Sequence, residues 1–167
     1  FALPCTFLRG DHMEGVMIGG NIRCFLKLAG TDFQPDFRGK ILLLEAMGGG
    51  VPQMVTFLSQ LKMMHAFEQI NGILLGTFSQ MERDQLTPDM PQLVRQAAGP
   101  DLPIAKTPYI GHGTDAHAAV IGKFYQISSD DNIRVAHAEL LCVCMAFHID
   151  INVAVRRAAV LDRVNFS

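Results

Sequence analysis

The stretch ILLLEAMGGG, Ile41 to Gly50, sets four aliphatic residues ahead of one carboxylate, Glu45, and follows it with Ala46, Met47 and three glycines. A charge that closes an apolar run is ordinarily a solvated strand terminus. It gains a chemical use only with a partner, and His112 is the candidate. In Ile110-Gly111-His112-Gly113 the flanking glycines remove Cβ bulk, permit sharp turns and allow another group close to the imidazole. A carboxylate that accepts the Nδ1 proton of such a ring fixes its tautomer. It also stabilises the imidazolium formed when Nε2 takes a proton from a nucleophile. Glu45 and His112 are therefore read together, as an acid and an imidazole that would act on a hydroxyl.

Other residues offer chemistry of a different kind. Ser79, in GTFSQ, follows a strand-like run, but no GxSxG elbow surrounds it and nothing nearby makes an evident oxyanion hole. His112, Asp115 and His117, in HGTDAH, combine imidazole and carboxylate as zinc ligands do. On a strand, however, positions 115 and 117 would share a face while His112 stays in the loop, and a fourth ligand is not evident. His12, His65, His137 and His148 read as surface or satisfied core residues. The MGGG and GGN stretches lack the GxGxxG and GxxxxGK[ST] patterns of phosphate-binding loops, so they read as tight turns beside a site.

The elements that must position Glu45 and His112 follow from hydrophobic period and capping signals. GKILLLE is a short continuous aliphatic run, as in a central strand covered on both faces. Pro52 suits a first helical turn, and Met54, Val55, Phe57, Leu58, Leu61 and Met64 recur at intervals of three and four, predicting a helix over 52–66. GILLGTF, 72–78, is a second buried strand. Thr87-Pro88-Asp89 caps a helix through Ala98, and LPIAK is a third, short strand.

Upstream, MIGGNIRCFLKLAG predicts a Gly-Gly-Asn turn feeding a helix that runs from Ile22 and stops at Gly30. Downstream, TPYIGHGTDA is a loop presenting His112, and AHAAVIGKFYQI is strand-like. This alternation predicts an α/β domain over 1–127. Residues 128–167 read as a separate tail, with a solvated SSDDN linker and a helix over 134–147 packed on the domain. Ligand sites in open α/β sheets lie outside the carboxyl ends of the strands, where both Glu45 and the His112 loop fall.

Composition excludes several partner classes. In 167 residues, 49% are hydrophobic and 18% charged, the balance of a single domain with its own core. A formal net charge of −2 leaves no cationic excess for a nucleic-acid backbone or an anionic membrane. Cys5, Cys24, Cys142 and Cys144 lack the CxxC pairing of a structural zinc site and read as buried thiols in a reducing, cytoplasmic compartment. No basic-then-apolar leader is apparent, and FALPCTFLRG resembles neither a tag nor a signal sequence, so the sequence reads as a segment of something longer.

Several stretches, taken in order, resemble the C-terminal domain of the LD-carboxypeptidase family, serine peptidases that also include the self-immunity peptidases against microcin C. They are GVMIGGNIRCFLKLAGT, FRGKILLLEAMG, VTFLSQLKMMHAFEQINGILLGTFSQME and LPIAKTPYIGHGTDAHAAVIGK, spanning about residues 10 to 127. The resemblance implies a swivelling β/β/α-type domain that forms the C-terminal half of a two-domain enzyme.

The resemblance also implies a Ser-Glu-His triad in which Glu45 and His112 occupy the acid and base positions. The serine and oxyanion hole would then lie on an N-terminal domain that this chain does not contain. The implied substrate is a murein tetrapeptide, cleaved at its terminal D-alanine, with no metal or organic cofactor and with a homodimer as the assembly. A microcin C-type peptidase of the same family, or a non-catalytic dimerisation or peptide-binding domain, are the alternatives. Where that family continues from its Glu into polar residues, this chain has Ala46-Met47 and three glycines.

Overall fold

The computed structural model describes residues 2–129 and 132–135. Twelve elements follow one another: β1 (Ala2–Leu3), β2 (Thr6–Arg9), β3 (His12–Asn21), α1 (Ile22–Leu26), β4 (Lys40–Ala46), α2 (Val51–Met63), β5 (Gly72–Phe78), α3 (Ser79–Arg83), α4 (Met90–Ala97), β6 (Ile104–Lys106), β7 (Phe124–Ser128) and β8 (Asn132–Val135). The strands form one eight-stranded mixed sheet in the order β1-β8-β7-β3-β4-β5-β6-β2. β3, β4, β5 and β6 are parallel neighbours, and the remaining pairings are antiparallel. The domain is thus α/β, with few helices.

The sheet is curled, as its connectivity requires. β1 and β2 occupy opposite ends of the strand order, yet only Pro4 and Cys5 separate them. Seven interstrand spacings in a flat sheet would span roughly 33 Å. The chain from Leu3 to Thr6 can reach no more than about 11 Å. The two ends must therefore come round toward each other, and residues 2–9 run across the seam. The buried Thr107 hydroxyl donates to the Pro4 carbonyl at 2.8 Å and anchors that crossing.

The two faces of the sheet bury different cores. Leu42, Leu44, Ile73, Leu75 and Ile104 pack with Ile22, Phe25, Met54, Leu58, Leu61, Leu93 and Val94 of the helices. Ile41, Leu43 and Leu74, one residue out of phase, pack with Met13, Met17, Ala105, Ile127 and Ile133, a cluster with no helical member among the described residues. Alternation along β4 therefore sends Ile41, Leu43 and Glu45 to the helix-free face. Glu45 points away from the helices and into the curl.

Most predicted elements form where hydrophobic period and caps placed them. Asn21 caps α1, its side chain accepting from the Cys24 N–H, and Asp89 forms a reciprocal capping box with Gln92. The expected Gly-Gly-Asn turn does not form. β3 continues through Gly19 and Gly20 to Asn21, in parallel register with Leu43, Leu44 and Glu45 of β4. Gly19 has φ of 105°, and a Cβ there would run into the Leu43 carbonyl oxygen and approach Leu42 Cδ1 to 3.1 Å. The glycine is read by its neighbour as a gap rather than by its own backbone as a turn.

The strand expected over 116–127 is confined to its end, Phe124–Ser128. Residues 116–120 are irregular, tied by the Val120 N–H to the Tyr125 hydroxyl at 2.9 Å. Burial pushes the Tyr125 phenol above its ordinary range, offset in part by that hydrogen bond. Arg134 and Val135, expected in a helix, belong to β8, which pairs antiparallel with β7. Ile133 of that strand is buried in the helix-free core, beyond the expected domain boundary at 127. The rest of the 134–147 helix, with Cys142 and Cys144, lies outside the described residues. Cys5 and Cys24 are free and only partly buried, and burial raises the Cys5 thiol.

Gly19→Ala is expected to lower the stability of the domain by about 2–3 kcal/mol, the scale of a forced backbone conformation added to a steric shift. Urea unfolding measures it, and an unchanged midpoint would show that β3 and β4 can separate without penalty.

Candidate functional site

Three strands and one loop meet around Glu45. On β4, Glu45 lies in register with Asn21 of β3, whose side chain is already engaged in capping α1. On the other side, the pairing with β5 slips: Leu44 faces Leu75 but Ala46 faces Phe78. One extra residue of β5 is therefore accommodated opposite Glu45, in the Gly76-Thr77 segment. Such bulges re-aim side chains and end pairing at sites. Gly76 makes this possible, because a Cβ on it would collide with the Ile110 carbonyl and lie 3.1 Å from Glu45 Cβ.

The structure brings the two sequence-predicted residues together. Glu45 Oε2 lies 2.6 Å from His112 Nδ1. Glu45 is buried, with 7% of its surface exposed, while the His112 side chain is 40% exposed. A carboxylate accepts and cannot donate, so the shared proton sits on Nδ1 and Nε2 is left as the basic nitrogen. The only hydrogen bonds of His112 among the described residues are this one and its backbone N–H to Thr77 Oγ1 at 3.2 Å. The ring is thus oriented from behind and presented in front, as general-base chemistry requires.

The remaining candidates are not gathered here. Among the described residues, no group of three or more His, Cys, Asp or Glu side chains is placed to hold a metal ion. His112 turns to Glu45, whereas the His117 ring stands edge-on to Tyr109 at 5.9 Å between centroids, so His112, Asp115 and His117 do not form a ligand set. Ser79 opens the short helix α3 and makes no hydrogen bond to His112. Cavities of about 330 and 440 Å³ lie elsewhere, and neither is lined by Glu45 or His112. Of the pair, the acid is buried and the imidazole is the exposed member.

The sequence reading passed over three residues that build this surroundings. Gly76 interrupts the otherwise apolar GILLGTF, and a glycine inside a strand signals close approach of another backbone. Thr77 follows it and holds the His112 loop. Gln80 ties down the glycine loop after β4: its side chain accepts from the Gly49 N–H at 2.7 Å and its N–H donates to the Met47 carbonyl at 3.1 Å. Met47 is left 65% exposed on that loop. Only the glycine carried a signal in the sequence.

A carboxylate–imidazole pair at the carboxyl ends of parallel strands, on an α/β domain, is an arrangement of acid and base that hydrolases use. Residues 14–127 match the LD-carboxypeptidase C-terminal domain, and the chain belongs to that family. It is 36% identical over 75 residues to the probable murein peptide carboxypeptidase of Bacillus subtilis, covering 45% of this chain and 24% of that protein. Against a putative carboxypeptidase of Treponema pallidum it is 28% identical over 123 residues, 73% of this chain and 36% of the relative. Against the microcin C7 self-immunity protein MccF of Escherichia coli it is 29% identical over 73 residues, 43% and 21% of the two chains.

Solved structures share the fold. Wild-type MccF without ligand superposes with a TM-score of 0.71 at 22% identity, over 81% of this chain and 42% of that one. An MccF-like protein from Bacillus anthracis gives 0.64 at 24%, over 75% and 39%. The chain thus spans well under half the length of the proteins it resembles. No helix among the described residues is long and apolar enough to cross a membrane.

Gly76→Ala is expected to cost about 1–3 kcal/mol of stability, the range for added bulk in a packed site. Because the added methyl meets both the Glu45 strand and the Ile110 carbonyl, amide exchange should quicken across 110–112 more than in β3. Uniform quickening across the domain would mean that the glycine serves packing alone.

Proposed function

We propose that this chain supplies the base and its orienting acid to a serine LD-carboxypeptidase, and that the nucleophile resides on an N-terminal domain outside residues 1–167. The observation that carries this reading is the 2.6 Å contact between Glu45 Oε2 and His112 Nδ1, made by a buried acid and a half-exposed imidazole. The domain match and the fragmentary coverage of longer carboxypeptidases support the two-domain arrangement. The partial exposure of the His112 side chain suits a base that meets a nucleophile brought by another domain.

In this reading, His112 Nε2 takes the proton of the serine hydroxyl as its oxygen attacks the carbonyl carbon of the scissile amide. The imidazolium, stabilised by Glu45, then gives that proton to the departing amine, and an acyl-enzyme remains. Water enters, loses a proton to His112 and attacks the ester, and the serine recovers its proton. Glu45 stays ionised throughout. The substrate is a murein tetrapeptide, whose terminal D-alanine leaves as the amine. No metal or organic cofactor takes part, and the enzyme works as a cytoplasmic homodimer.

A second substrate reading rests on the likeness to MccF, which is known in complex with aspartyl sulfamoyl adenosine. Release of free D-alanine from tetrapeptide, against cleavage of an aminoacyl nucleotide analogue, separates the two.

In the two-domain enzyme, His112→Ala or Glu45→Gln should reduce kcat by about 10⁴-fold with little change in KM. Unchanged kcat would remove these residues from the mechanism. The 167-residue chain alone should cleave no tetrapeptide; turnover that resists a serine-directed inhibitor and stops with a chelator would replace the serine mechanism with a metal one.

A further inference from the structure

We infer that Thr77 is a positioning residue for His112, its hydroxyl standing in for a main-chain carbonyl in the ladder that holds the His112 loop. This inference rests on the proposed role of His112 for its catalytic meaning, though not for its geometry.

In a parallel ladder, a residue donates its N–H to the carbonyl one place before its partner and accepts, at its own carbonyl, the N–H one place after. β5 and β6 obey this pattern: Leu75 pairs with Lys106, and the Thr107 N–H donates to the Leu75 carbonyl at 2.9 Å. Two residues further along β5 the same pattern recurs around Gly111, with one substitution. The Thr77 N–H donates to the Ile110 carbonyl at 2.8 Å. The His112 N–H is accepted, at 3.2 Å, by Thr77 Oγ1 rather than by a carbonyl.

The substitution follows from the bulge. Accommodating an extra residue opposite Glu45 breaks the regular course of β5, and the side-chain oxygen supplies the acceptor for this rung. Thr77 is 8% exposed, and Gly111, with φ of 136°, lies against it; a Cβ on Gly111 would collide with the Thr77 hydroxyl and stand 3.2 Å from Thr77 Cβ. Only a short side chain bearing a hydroxyl meets these conditions. Valine fills the same volume but has no acceptor, leaving the His112 N–H unpaired; serine keeps the acceptor.

The consequence concerns direction. Glu45 holds the imidazole by Nδ1, and Thr77 holds the same residue by its backbone. Together they fix both ends of a side chain whose reacting nitrogen must meet a hydroxyl brought from elsewhere. Loss of either leaves a ring that still exists but no longer points consistently, and a misplacement of about 1 Å can cost roughly 100-fold in rate.

The test uses NMR of the 167-residue chain, in which turnover is not needed. The Nδ1 proton held between His112 and Glu45 should give a low-field resonance in the native protein and in Thr77→Ser. In Thr77→Val it should broaden or vanish while the resonances of the two cores stay native. If Thr77→Val does not fold, Thr77→Ala, which adds no bulk, replaces it with the same expectation.

A low-field proton unchanged in a folded hydroxyl-less variant would overturn the inference. In the two-domain enzyme, Thr77→Val should lower kcat by about 10- to 100-fold at constant KM, with recovery in Thr77→Ser. If the proton responds but kcat does not, the positioning stands and the catalytic role proposed for His112 falls.

Discussion

A carboxylate cannot be taken from water at the end of a strand without something to share its charge. Glu45 is such a carboxylate, and the surrounding architecture can be understood as the means of delivering His112 to it. The curl of the sheet turns the helix-free face into a concave one, and the phase of β4 sends Glu45 onto it. The bulge in β5 leaves room for the acid, and two glycines, Gly76 and Gly111, let the loop after β6 descend to hydrogen-bonding distance. Removing the acid would leave these accommodations with nothing to accommodate.

The division of labour between the two cores follows from the same constraint. The helix-side core is built of residues at helical spacing packed on β4, β5 and β6, and it gives the sheet a rigid back. The opposite core is smaller and, among the described residues, draws no member from a helix. An imidazole held there keeps one nitrogen in contact with the protein and offers the other outward. A site placed on the helix side would have been closed by side chains of α2 and α4.

Much of this was legible in the residues. The aliphatic runs of β4 and β5, the stripe of α2 and the caps of α1 and α4 all express local rules that tertiary structure did not override. Glu45 and His112 stood out because a charge ended an apolar run and an imidazole lay between glycines. β3 was hidden because Gly19 and Gly20 signal a turn locally, while their reason for being glycine is the Leu43 carbonyl of a neighbouring strand. β1 and β2 are too short to show a period, and β8 was obscured by helix formers following it. Thr77 was invisible for a deeper reason: a hydroxyl in place of a carbonyl is a property of a bulge, and the bulge exists only once β4 and β5 are paired.

The segment 2–9 that crosses the seam has a further effect on how the molecule meets its neighbours. An unpaired sheet margin presents a row of free donors and acceptors, and such a row recruits strands from other chains. Here a single short stretch of backbone lines both margins at once, β1 against β8 and β2 against β6. The margins the sheet presents are thereby cut to strands of two and four residues, too short to make a long flat template for strands of other chains, and the same segment adds Leu3 to the helix-free core and Leu8 to the edge of the other.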